Sequence, residues 1–154
     1  MPPKITETLV TQSVLDRVMT VEDWPTTRAQ SVRFFKDALR RDLEWLLNTR
    51  QPHMPELNDF PVAKASVINY GLPDITSLGL LSASDHRSLR AAIEVCLRNF
   101  EPRLSDVHVT LQESDTADRR LRFHIEGIMK LDPAPEEISF DTVLELSSGE
   151  YKVK

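Results

Sequence analysis

Phe100-Glu101-Pro102-Arg103-Leu104-Ser105-Asp106-Val107-His108-Val109-Thr110-Leu111-Gln112 is where the chain changes its hydrophobic period. Upstream, Leu89, Ala92, Ile93, Cys96, Leu97 and Phe100 recur at helical spacing behind a Ser84 or Asp85 cap. Downstream, Val107, Val109 and Leu111 alternate with His108, Thr110 and Gln112, the period of a half-buried strand. Pro102 lacks an amide hydrogen and disfavours helical geometry in the residue before it. The spacing therefore predicts a forced helix end, with Glu101 and Arg103 presented on a stiff, extended corner.

Working outward from this junction, the amino-terminal side reads as helical. Thr27-Arg28-Ala29-Gln30 has capping-box spacing. From it, Val32, Phe35, Leu39, Leu43 and Leu46 form one apolar stripe along about 30 Å of helix that must stop before Pro52. Asp37 with Arg41, and Arg40 with Glu44, suggest a solvated charged face. Trp45 and Tyr70 lie within apolar runs and are expected in the core. Residues 1–26 read as an arm with a short helix over Ser13 to Met19. Pro52, Pro55 and Pro61 mark a surface connection, followed by a short helix over Ala63 to Tyr70 that ends at Gly71.

The carboxyl-terminal side reads as strands. Leu121, Phe123, Ile125, Gly127, Met129 and Leu131 alternate, as do Ile138, Phe140, Thr142, Leu144 and Leu146. A turn at Ser147-Ser148-Gly149 leads to a last short strand with Tyr151 and Val153, and Glu113 to Asp118 reads as a polar loop. Helices followed by strands with short connections imply a single α+β domain, its N-terminal helices packed on one face of a largely antiparallel sheet. The domain is expected over 27–154, after the arm.

Composition narrows the function classes. A chain of 154 residues matches one core. A net charge of -5 argues against a nucleic-acid reader, which needs a dominant basic face. The one cysteine, Cys96, sits on an apolar helical stripe and reads as an inert core thiol in a cytoplasmic protein. No apolar run approaches the roughly 20 residues of a membrane span. His53, His86, His108 and His124 lack ligand spacing, so no metal is expected. Glycine loops that would cradle a phosphate are absent, and no cofactor is expected. Nothing in the pattern singles out a glycosidase pair of carboxylates: Glu94 and Glu101 are seven residues apart on one helix, the first expected to be exposed and the second beside Arg103. A cation beside Glu101 works against its serving as a general acid, so no catalytic residue is assigned.

Three stretches carry a family resemblance when taken in order: Arg41-Asp42-Leu43-Glu44-Trp45-Leu46-Leu47-Asn48-Thr49-Arg50, Ser66-Val67-Ile68-Asn69-Tyr70-Gly71-Leu72-Pro73-Asp74, and Phe100 to Leu104. With Leu121 to Ile125, Phe140-Asp141-Thr142 and Gly149-Glu150-Tyr151, the set resembles the wedge proteins of contractile phage tails and the TssE subunits of type VI secretion baseplates. The resemblance implies a non-enzymatic cytoplasmic protein, assembled at the inner-membrane-associated baseplate. It would join a wedge of TssF, TssG and TssK to the TssB/TssC sheath near the VgrG spike, and help start sheath polymerisation. It also implies that Glu101, Pro102, Arg103 and Leu104 dock on the wedge core bundle, and that Glu150, Tyr151, Lys152 and Val153 face sheath strands.

Blander readings stand beside these. Glu101 and Arg103 could form a local pair at a helix end, and Lys152 and Lys154 could protect a sheet edge from aggregation. The alternatives for the whole chain are an anti-adaptor-like regulatory binding protein of the same fold and a lysozyme-like peptidoglycan hydrolase.

Overall fold

The computed structural model describes residues 8–19, 24–74, 83–112 and 120–154. The polar loop expected over Glu113 to Asp118 lies outside them. Two compact units are distinguished, residues 1–41 and 42–154.

In the first unit, helix α1 spans Val14–Met19 and helix α2, Arg28–Asn48, begins. The expected capping box is present. The Gln30 backbone N–H donates to Thr27 Oγ1 at 3.3 Å, and Gln30 Oε1 accepts the Thr27 N–H at 3.3 Å and the Thr26 N–H at 3.0 Å. The buried residue of α1 is polar: Asp16 is 1% exposed and accepts from Arg41 Nη1 at 2.7 Å, whereas Val14, Leu15, Val18 and Met19 face outward. Arg41 thus pairs with an acid far back in the chain, and Asp37 meets Arg40 at 3.9 Å.

The second unit holds the end of α2, the connection to helix α4 and the sheet. The expected helix over Ala63 to Tyr70 is replaced by fragments. A 3-10 turn at Pro55–Asp59 precedes the four-residue helix α3, Pro61–Lys64, and a second 3-10 turn follows at Val67–Asn69, where the Ser66 hydroxyl accepts the Ile68 N–H. Ser66 satisfies the backbone locally and so divides the segment. Helix α4 spans Ala83–Phe100.

Strands β1 (Leu104–Gln112), β2 (Arg120–Met129), β3 (Glu136–Glu145) and β4 (Glu150–Val153) form an antiparallel sheet in the order β1-β2-β3-β4. The α+β expectation holds, and the strict alternation decides which face is buried. Val107, Val109, Leu121, Phe123, Ile125, Phe140, Leu144, Tyr151 and Val153 point inward, and α4 packs along β1. Leu43, Leu46, Leu47, Leu89, Ile93 and Leu97 are buried as their helical stripes require. One irregularity was not foreseen. The β1–β2 register shifts between Ser105 and His108, where Asp106 has φ 50°.

Gly71 secures the end of the connection. Its φ is +107°, and an added Cβ would lie 2.3 Å from the Thr49 carbonyl oxygen. That carbonyl accepts the Leu72 N–H at 2.8 Å, and Gln51 N–H donates to the Leu72 carbonyl at 2.9 Å. Gly71→Ala should therefore push this bridge apart and destabilise the protein by about 3 kcal/mol, measured as a lower urea midpoint at unchanged slope.

Candidate functional site

The Glu101–Leu104 segment forms a tight corner between α4 and β1. Ile93, Leu97 and Glu101 are spaced four apart, so Glu101 continues the buried stripe of α4, and it is only 4% exposed. This corrects the expectation of an outward-facing acid on an extended corner. The Pro102–Arg103 step is a turn closed by Leu104 N–H to the Glu101 carbonyl at 3.2 Å. Pro102 is exposed, Arg103 is partly exposed and Leu104 is buried.

Arg103 encloses the Glu101 carboxylate. Its Nε donates to Oε1 at 2.7 Å, its Nη2 to Oε2 at 2.6 Å, and its backbone N–H to Oε1 at 3.2 Å. Nη2 also donates to Asp42 Oδ2 at 2.8 Å, which ties the corner to α2. Burial opposes the Arg103 cation, but the hydrogen bonds and charge of Glu101, then those of Asp42, overcome it and hold the guanidinium above its ordinary pKa. The outer side is fastened by Lys130, whose N–H donates to the Arg103 carbonyl at 2.8 Å and whose Nζ donates to the Pro102 carbonyl at 3.0 Å. The corner is therefore rigid and carries two acids against one guanidinium. The local pair sets the shape of the corner, and Pro102 is its exposed tip.

Strand β4 ends the sheet, and its exposed residues are Glu150 and Lys152, with exposed Lys154 just beyond it, while Tyr151 and Val153 are buried. Lys154 exchanges both backbone hydrogen bonds with Asp141, which turns the backbone groups of Tyr151 and Val153 away from β3. Three of these four outward groups are met by α2. Tyr151 N–H donates to Asn48 Oδ1 at 2.8 Å, Asn48 Nδ2 donates to the Tyr151 carbonyl at 2.9 Å, and Val153 N–H donates to Glu44 Oε2 at 3.2 Å. The rim that the resemblance assigns to sheath strands is thus covered at these three groups by side chains of α2. At the other rim, Glu94 Oε1 accepts Val109 N–H at 3.0 Å.

Neither carboxylate of the considered glycosidase pair faces a shared cleft, since Glu94 is bound to β1 and Glu101 to Arg103. Among the described residues no group of three or more His, Cys, Asp or Glu side chains could hold a metal ion. His124 instead meets Asp141 at 2.8 Å and Glu126 at 3.4 Å on the exposed face of the sheet, while His108 pairs in register with Glu126. No helix among the described residues is long and apolar enough to cross a membrane. Trp45 departs from expectation at 48% exposure. Tyr70 is half-buried against Phe100, edge to face with ring centroids 5.3 Å apart. Asp42, Glu44 and Asn48, which bond the corner and the rim of β4, were not expected there. The signal available for the last two was their four-residue spacing on one helix face.

Cys96 is buried and donates its thiol hydrogen to the Gly71 carbonyl at 3.2 Å, and burial pushes its pKa from about 9 up to about 12.

The Baseplate wedge protein gp25 family profile matches residues 34–134. No curated protein matches the sequence. Among solved structures, a chain of "The baseplate complex from the type VI secretion system" is similar at 19% identity and a TM-score of 0.45, covering 75% of this chain and 94% of that one.

Two outcomes are expected of this geometry. Arg103→Ala strands a buried carboxylate and should destabilise the protein by about 3 kcal/mol, against about 1 kcal/mol for Glu101→Gln, with the difference read from chemical denaturation. Because the folded thiol has the raised pKa, the stability it contributes is complete below pH 9 and is lost as the pH rises toward 12. The stability advantage of the parent over Cys96→Ala should accordingly shrink by about 2 kcal/mol between pH 8 and pH 10.5 in urea titrations.

Proposed function

We propose that this chain, which belongs to the Baseplate wedge protein gp25 family, is a structural subunit that joins the wedge of a type VI secretion baseplate to its contractile sheath. The family assignment, which extends over more than half of the chain, supports the structural baseplate role. The connection to TssF, TssG and TssK on one side and to TssB and TssC on the other is the finer part of the reading, as are sheath initiation, the nearby VgrG spike and assembly in the cytoplasm. A folding domain over 27–154 with a separate arm belongs to the same proposal.

The observation that carries the docking role is the rigid corner, with Pro102 exposed above a guanidinium held by Glu101 and Asp42. A partner meeting it would find a surface that needs no ordering on contact, which lowers the entropic cost of association. Glu101 and Leu104 support this surface from within, and Pro102 and Arg103 form it. Glu150, Lys152 and the backbone of Tyr151 and Val153 are assigned to the sheath side.

Replacing Glu101 or Arg103 would disturb the monomer as well as any interface, so the exposed tip offers the cleaner test. Pro102→Arg should keep the thermal midpoint of the parent and lower co-purification with TssF and TssG at least ten-fold. Recovery of the wedge at the parental level would reject the docking role.

A further inference from the structure

Asn48 and Glu44 occupy the places on β4 where the backbone of a neighbouring strand would bond. The side-chain amide of Asn48 gives Tyr151 both an acceptor and a donor, as a peptide group would, and Glu44 supplies the acceptor for Val153 two residues on. The spacing explains the fit. Four residues of helix rise about 6.0 Å, while two residues of strand rise about 6.6 Å. Asn48 is also held in place, because Nδ2 donates to the Glu44 carbonyl at 2.9 Å.

We propose that Glu44 and Asn48 form a displaceable seal on β4, which an extended segment of a sheath subunit replaces when it joins the sheet. The inference rests on the sheath-facing role assigned to β4 above. The seal's chemistry specifies its occupant as extended backbone, since the three bonds would be remade by peptide N–H and C=O groups whatever side chains the segment carries. Exposure marks Asn48 as the member able to leave. It is the exposed residue of the pair, whereas Glu44 is half-buried. Lys152 on β4 and Lys154 just beyond it project from the exposed face beside the seal, with Glu150 at the strand's start, and favour a segment with acidic residues opposite the two lysines.

The test uses purified TssB–TssC as the probe and compares the parent protein with three variants. Asn48→Ala removes two of the three sealing bonds and should capture the probe faster by on the order of ten-fold. Glu44→Gln retains an acceptor and should differ less. Val153→Pro removes an N–H that faces away from β3, so it leaves the β3–β4 ladder intact and should abolish capture. In the parent complex, the Asn48 side-chain amide resonances should shift while the Tyr151 backbone amide stays protected from hydrogen exchange. Loss of capture in Val153→Pro, with no gain in Asn48→Ala and no shift of the Asn48 resonances, would overturn the seal and leave the sheath-facing strand standing. Parental capture by Val153→Pro would overturn both. Self-association of Asn48→Ala without faster capture would also reject the proposal, assigning these side chains to keeping copies apart.

Discussion

A carboxylate only 4% exposed needs a partner that satisfies both its charge and its lone pairs, and for Glu101 that partner is Arg103. The geometry around this pair follows from the requirement. The guanidinium meets both carboxylate oxygens, the backbone N–H of Arg103 adds a third bond, and Asp42 supplies a second acid from α2. Because Glu101 lies on the buried stripe of α4, the pair fixes where the helix stops and the angle at which β1 leaves. Arg103 also belongs to the sheet's margin, since its carbonyl accepts from Lys130 just beyond β2. One ionic contact therefore coordinates the ends of three elements.

The same arrangement bears on the docking role proposed for the corner. Had Glu101 and Arg103 pointed outward, their long side chains would lose rotamer freedom on binding. Here the ordering is completed within the monomer, and Pro102 adds a residue whose φ is already fixed. The exposed tip is small, but its shape is held from beneath by charge-assisted bonds, the stronger kind. Rigidity thus resides in Glu101 and Asp42, while Pro102 and Arg103 are the residues the corner exposes.

Much of the fold was legible because period alone distinguishes α2 and α4 from the four strands. The capping box placed the start of α2, and alternation along Leu121 to Ile125 and Phe140 to Leu144 identified the buried face. The misreadings have physical causes. Trp45 follows Leu43 by two residues, about 200° around the helix, so an apolar run carried it to the outside while Leu46 and Leu47 turned inward. Glu101 was assigned outward from the proline corner, although its four-residue step from Leu97 places it inward. Asp42 lies 61 positions from Arg103, and Asn48 lies 103 from Tyr151. No local pattern encodes such pairings, because they exist only after α2 and the sheet have taken their places.

Coverage of the sheet's two margins bears on the wedge-to-sheath role proposed for the chain. A bare edge bonds any extended chain that reaches it, including another copy, whereas an edge paired with a full strand admits none. Glu94 covers one β1 amide on a margin that α4 also packs along, which makes that side part of the core. On β4 the cover is made by two side chains, and three bonds satisfy three of the four outward groups of Tyr151 and Val153. Exchanging these for backbone bonds leaves the count nearly unchanged, so the balance is set by the remaining contacts an added segment makes. An edge covered in this way would resist indiscriminate pairing, and the proposed exchange would require a segment that fits along its whole length, where short β4 leaves few positions to satisfy.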